Sequence, residues 1–361
     1  MHIRFSVVAV LCLALSACSE SPPQATQNVS SGALPLSLIQ SNLKRGAGTF
    51  TFYKAPSAAT YIPENLVVGP DGNFWYPTQV TVKKKTVGAI IRFTPKGVAT
   101  TFVIPSSGSI SVDSPASITV GSDGNIWFGS YDCTIGSIST AGVFQQEYTL
   151  GSDSCDLTVG SSTSATGVWF TNGGSTNYVG YITTSGSVVQ YQLPNGSILN
   201  GGNEIVLGSD GNLWFTEGIN GDTNIGRVTP NGVITLFPSS ANNSTAIVAG
   251  PDGNLWYTGG SGTLGVMNTS GQVVATYEVG NAYNLTNGSD GNIWIAEGNP
   301  NPFSGLERVT PAGTITTFAF PKSARKYRPF AIVTGPDSNM WFTAAGYGDA
   351  KDPKGMGTFA L

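Results

Sequence analysis

One ten-residue phrase recurs seven times along the chain, and no other property limits the fold as much. The copies are GPDGNFWYPT from Gly69, GSDGNIWFGS from Gly121, a looser GSSTSATGVWFTN from Gly160, GSDGNLWFTE from Gly208, GPDGNLWYTG from Gly250, GSDGNIWIAE from Gly288 and GPDSNMWFTA from Gly335. Each holds one tryptophan. Together Trp75, Trp127, Trp169, Trp214, Trp256, Trp294 and Trp341 are all the tryptophans of the 361-residue sequence. Their intervals, 38 to 52 residues, are those of propeller blades, where each repeat makes one sheet that can hide its faces only against its neighbours. A ring is the expected result.

Each repeat divides into four strands. In the fourth, EIVLG reads as the first strand, NLWFTE as the second, NIGRVTPNG as a third strand with its turn, and VITLFP as the fourth. Asp-Gly between apolar runs predicts a two-residue hairpin with positive φ at both positions. The central tryptophan is expected to pack between blades, where burying 150–250 Å² stabilises by roughly 4–6 kcal/mol as an upper bound. The seventh repeat supplies PFAIVTG, NMWFTA and GMGTFAL, three strands. TFTFYKAP at residues 49–56 resembles the fourth strands TITTFAFP and ITLFP, so it should complete blade seven and leave no free sheet edge. The predicted fold class is all-β: a seven-bladed β-propeller of four-stranded blades over residues 46–361, its last blade closed by the N-terminal strand. With 47 Gly, 21 Pro and 11% charged residues, and no sustained helical period, composition agrees. Strand direction puts the DGN and TPNG turns on one face, the bottom. The second-to-third and blade-to-blade connections lie on the other, the top, which carries the variable residues.

Ahead of the repeats, MHIR, the apolar FSVVAVLCLAL and then LSAC read as a cleavable export signal over residues 1–17. The Leu-Ser-Ala-Cys end resembles a bacterial lipobox, which implies lipidation at Cys18 and an exported, membrane-anchored lipoprotein of the bacterial envelope. Ser19 is similar to the residue found in lipoproteins sent to an outer membrane. Residues 18–45 are Ser, Pro, Gln, Asn and Gly with a few Leu, a composition expected of a flexible tether. Beyond Cys18 two cysteines remain, Cys133 and Cys155. Both fall on the top face, and an even pair in an exported chain is expected to form a disulfide.

The repeat [I/L/V]-x-x-G-x-D-G-N-x-W-[F/Y]-T-E followed by IGRVTPNG resembles the streptogramin (virginiamycin B) lyases over the whole body of the chain. That resemblance implies an elimination at the ester of a cyclic depsipeptide antibiotic, with a histidine base and a magnesium ion held by glutamates. Counting from the glycine of each repeat places Tyr283 at the histidine that opens the penultimate blade. Arg328-Pro329-Phe330 falls at a Glu-Pro-His that opens the last blade, and Ala344 at its closing glutamate. The single histidine is His2, inside the predicted signal. The expectation is therefore a ligand- or partner-binding propeller; the alternative is a divergent C–O lyase or metal-dependent hydrolase using top-face carboxylates, and whether the chain is an enzyme stays open.

Candidate ligand-site residues on the top face are Glu64, Asn172, Asn203, Glu217, Tyr283, Glu297, Arg328 and Phe330. Glu217 and Glu297 end the second strands of blades four and six and are the candidates for Mg²⁺ or Ca²⁺. Glu64, Asn203 and Asn172 loosely resemble the central metal set of lactonase-like propellers. Motifs of serine hydrolases, zinc proteases, phosphate loops and calcium loops are absent from the sequence. Ten of 17 Lys and Arg residues fall in top-face segments around blades seven and one: Lys54, Lys83, Lys84, Lys85, Lys322, Arg325, Lys326, Arg328, Lys351 and Lys354. Such a basic wedge can draw in anionic ligands or lipid headgroups. A net charge of −4 without a long basic stripe argues against nucleic acid. Expected partners are a small-molecule, glycan or protein ligand at the top face and the membrane through the N-terminal lipid, with the protein a monomer.

Overall fold

The computed structural model describes residues 44–54, 65–105, 114–151, 155, 157–160, 167–174, 177–194, 199, 204–217, 224–241, 244, 246–259, 262–298, 304–346 and 355–361. Their strands form seven antiparallel blades of four strands each. Blade four is representative, with strands Ile205–Leu207, Leu213–Glu217, Asn224–Val228 and Ile234–Pro238 paired in sequence order. Blade seven consists of Tyr327–Thr334, Met340–Gly346 and Gly355–Phe359, with Phe50–Lys54 as its outer strand. Phe50 pairs with Phe359 and Lys54 with Gly355, so the closing strand expected from TFTFYKAP is in place. Lys44 and Arg45, within the stretch read as tether, add a short parallel strand beside Thr316 and Thr317 of blade six.

Seven apolar clusters fill the seven seams between blades. Each tryptophan belongs to the seam with the following blade: Trp75 lies with Ile118 and Phe128 of blade two, and Trp341 with Phe74 and Phe93 of blade one. All seven are buried. Ring closure is thus written in side chains as well as in strands.

The DGN motif does more than turn the chain. In six blades its aspartate accepts the indole N–H, as Asp210 Oδ1 does from Trp214 Nε1 at 3.0 Å. The turn itself differs from the two-residue hairpin that Asp-Gly suggested. Gly211 N donates to Gly208 O, Gly208 N donates to Asn212 O, and within this turn positive φ is confined to Gly211, at 78°. Asp210 stays in an ordinary conformation because its carboxylate faces inward to serve Trp214 and the Asn212 backbone N–H. The motif therefore makes a longer loop with one left-handed residue. In the third strand, the glycine of I-G-R lies beneath an aromatic ring; a Cβ at Gly226 would overlap Phe215. A third-strand arginine lies over the tryptophan in blades one, four and six. Arg92 covers Trp75 and Phe102 and donates from Nη1 to Thr140 O of blade two at 2.9 Å, a brace between neighbours.

Candidate functional site

First strands line the axis of the ring, and three of them are irregular near the top, that of blade two slipping register between Pro115 and Ser117. In blade six, Ala282–Asn287 slips register against Ile293–Glu297 between Ala282 and Asn284; in blade seven the slip lies between Pro329 and Ile332. A bulge bends its strand and re-aims the side chain it carries. Tyr283 and Phe330 are carried in this way, and their rings stack with centroids 5.0 Å apart and planes inclined by 32°. Tyr283 also covers Gly298, where a Cβ would collide with its ring. Arg328, half-buried, lies two residues before Phe330.

One position further along the first strands is a polar layer that sequence reasoning missed. Four residues before the repeat glycine stand Asn65, Ser117, Asp156, Glu204, Ala246, Asn284 and Ala331, of which Asp156 lies outside the described residues. Asn65, Glu204 and Asn284 line a central cavity of about 260 Å³ whose remaining wall comes from first-strand residues of blades one to six. Glu204 Oε1 accepts from Asn284 Nδ2 at 2.7 Å, and Glu204 Oε2 accepts from Ile247 N at 3.1 Å. Asn284 Oδ1 accepts in turn from Ile332 N at 3.3 Å. One side-chain pair thus ties blades four, five, six and seven together. Desolvation pushes the Glu204 carboxyl up to about 7, while the two hydrogen bonds pull the other way. Counting four residues back from each glycine, rather than five, would have found this layer.

The second-strand ends have a different role from the one expected. Three residues beyond each tryptophan stand Thr78, Ser130, Asn172, Glu217, Gly259, Glu297 and Ala344. The six with side chains longer than hydrogen are all buried, Glu217 at 3% exposure and Glu297 at 2%. Where polar, several cap the hairpin above them. Ser130 Oγ accepts from Thr134 N, Asn172 Oδ1 from Gly174 N at 3.2 Å, and Glu217 Oε2 from Asn224 Nδ2 at 2.6 Å. Glu297 lies against Gly280, where a Cβ would overlap its carboxylate; Gly280 N donates to Glu307 Oε2 at 3.0 Å. Burial raises the Glu307 carboxyl, offset by bonds from Gly280 N and the Thr317 hydroxyl. Asn172, Glu217 and Glu297 are therefore buried, the first two bonded within their own hairpins and Glu297 packed against Gly280.

Glu217 and Glu297 have separate surroundings in blades four and six and do not come together. Among the described residues, no group of three or more His, Cys, Asp or Glu side chains could hold a metal ion. Nor do the positions carried over from the lyase resemblance fit magnesium: a phenol, a phenyl ring, a guanidinium and a methyl group stand at Tyr283, Phe330, Arg328 and Ala344, and none is a carboxylate oxygen. Cys133 and Cys155 are joined by a disulfide, with Cα atoms 4.9 Å apart. Of the basic residues, Lys54, Lys83, Lys84, Lys85, Lys322, Arg325 and Lys326 are exposed. Cys18, Glu64, Asn203, Lys351 and Lys354 lie outside the described residues.

Comparison with known proteins agrees with the seven-bladed fold. The model of the virginiamycin B lyase family matches residues 110–351. A streptogramin B lyase structure is 25% identical, with a TM-score of 0.68, covering 87% of this chain and 98% of that one. A catalytically inactive histidine-to-alanine variant of virginiamycin B lyase from Staphylococcus aureus, solved with quinupristin, is 25% identical, with a TM-score of 0.69 over 87% of this chain and all of the other. The fold alone is shared with the extracellular domain of a hybrid two-component system protein from B. thetaiotaomicron, at 16% identity and TM-score 0.60, covering 88% of this chain and 41% of that one. No curated protein matches the chain.

Proposed function

Because the chain belongs to the virginiamycin B lyase family yet stacks two aromatic rings at the top of its channel, we propose that it is a binding propeller of the bacterial envelope and not a histidine-dependent lyase. It is exported, anchored through a lipid on Cys18, and takes a small-molecule, glycan or protein ligand at the mouth formed by Tyr283 and Phe330. The observation that carries this reading is that pair, 5.0 Å apart, at the positions where the family resemblance places histidines. An imidazole titrates near neutrality and can take up a proton; phenyl cannot, and an ordinary phenol is a poor base at pH 7. The single histidine, His2, lies before Cys18. A stacked aromatic pair is instead suited to a flat or apolar ligand surface.

Incubation with quinupristin, followed by mass analysis, tests the proposal. The antibiotic should be recovered in its cyclic form; accumulation of the linear product refutes it. Labelled palmitate should enter the wild-type chain in cells and be lost in Cys18→Ser, and equal labelling of both chains would remove the anchor.

A second reading, a divergent lyase or hydrolase, is favoured by Glu204. A carboxyl raised to about 7 beside the channel could act as a general base near neutrality. Any turnover detected should then vanish in Glu204→Gln.

A further inference from the structure

We infer that blade seven holds a second binding site, a pocket for a small aromatic carboxylate, built from residues that the channel mouth does not use. Its origin lies in one cross-strand pair. Blade four places Glu217 opposite Asn224, and their hydrogen bond fills the end of that hairpin. The corresponding pair in blade seven is Ala344 and Gly355, a methyl group opposite a hydrogen. The space left is a cavity of about 190 Å³, lined by Phe52, Tyr53, Lys54, Tyr327, Ala344, Gly355 and Met356.

Phe52 and Tyr327 give this cavity flat apolar walls on the blade-six side of blade seven, with the Ala344 methyl between the strands, while the side chains of Tyr53 and Met356 turn to the seam with blade one. Phe52 and Tyr327 stack at 5.5 Å with planes 27° apart, and Lys326 Nζ lies 5.3 Å from the centre of the Tyr327 ring. Lys54 is exposed at the edge. Among the described residues, neither Lys54 nor Lys326 has a carboxylate within ion-pair range. Apolar walls with one or two well-placed charges are the usual form of a small-ligand site. A planar ring satisfies the walls and a carboxylate satisfies Lys54. A sugar acid has the charge, but its hydroxyls would lose water against Phe52, Tyr327 and Ala344 without gaining partners. The site stands independently of whatever binds at Tyr283 and Phe330.

Benzoate is the probe, and ring-fluorinated tyrosine is the reporter. Tyr327 lines the cavity, whereas Tyr257 is buried in the seam between blades four and five. Titration of the intact propeller should shift the Tyr327 fluorine signal, assigned through Tyr327→Phe, with a dissociation constant on the order of 1 mM, and leave Tyr257 in place. Lys54→Gln, an exposed change, should weaken benzoate about fourfold and leave its neutral isostere benzamide unchanged. Ala344→Leu, which fills the space, should abolish the shift. The proposal is overturned if Tyr327 does not respond to benzoate, if Lys54→Gln alters benzoate and benzamide equally, or if glucuronate binds as well as benzoate. Failure here leaves the quinupristin result untouched, since that test reads a different site.

Discussion

Glu204 and Asn284, eighty residues apart in sequence, share a 2.7 Å hydrogen bond that carries blade four past blade five to blade six. The carboxyl in this bond is raised to about 7, chiefly by desolvation, so the folded chain holds a proton that the unfolded chain releases at its ordinary value near 4.5. Stability from this group is fully present below about pH 4.5 and is lost as pH rises to about 7. The loss is about 3–4 kcal/mol at most, less where channel water screens the charge. Glu307, raised by burial, adds a dependence of the same sign. Urea midpoints measured from pH 5 to 8 should fall for the wild type and flatten in Glu204→Gln. An equal slope in both would show that the carboxyl is not perturbed.

Blade seven breaks the DGN rule at Ser338, which takes the glycine place with φ of 64°. A left-handed conformation costs a residue with a Cβ roughly 1–2 kcal/mol. Ser338→Gly should therefore stabilise by about 1 kcal/mol, even after the added freedom of the unfolded chain, and raise Tm by about 2 °C. Calorimetry decides it, and a lowered Tm would mean that the serine side chain matters more than the strain.

Lys83 and Lys84 form the two-residue tip of the blade-one hairpin, both with positive φ, at 47° and 68°. Such a turn prefers Asn-Gly. Replacing both lysines by Asn-Gly should raise Tm by a few degrees. If the basic wedge draws in anionic surfaces, the same variant should bind phosphatidylglycerol vesicles more weakly at low salt; unchanged binding would count against the wedge.

Glu217 is buried with its carboxylate on Asn224 Nδ2. Glu217→Ala should cost about 1–3 kcal/mol by depriving that amide of its acceptor, whereas Glu217→Gln should cost less. Calorimetric titration with Mg²⁺ or Ca²⁺ at millimolar concentration should show no binding that either variant removes. Metal-dependent heat lost in Glu217→Ala would reinstate the cation site.

Phe50 in the closing strand touches Phe320, Phe342 and Phe359. Phe50→Ala should destabilise by about 3 kcal/mol, and a chain beginning at residue 55 should aggregate, because blade seven would then present an open edge. A soluble, cooperatively folding truncation would show that the ring does not depend on this strand.

Much of this architecture was legible because the tryptophan repeat is read directly from spacing, and TFTFYKAP advertises the missing strand through likeness to TITTFAFP. The candidate site was less legible. Tyr283 and Phe330 could be located by counting, but not that bulges would turn them onto one another. Glu204 was passed over because a single polar residue before an apolar run looks like the start of a strand, and its partner Asn284 is remote in sequence. Glu217 and Glu297 were read as exposed chemistry since carboxylates usually face water. Their burial, with Glu217 on Asn224 and Glu297 against Gly280, belongs to the assembled structure. Asp-Gly misled in a smaller way, because the aspartate serves the tryptophan four residues on, not the turn alone.

Lys44 and Arg45 run parallel to Thr316 and Thr317, and Gly46 N donates to Thr317 O at 2.9 Å. Tension arriving from the upstream chain would be met there first, as shear along the rim of blade six, before it reached the Phe50–Lys54 zipper that keeps the circle shut. Those few backbone bonds would work as a mechanical fuse, yielding under modest load while the wheel stays whole.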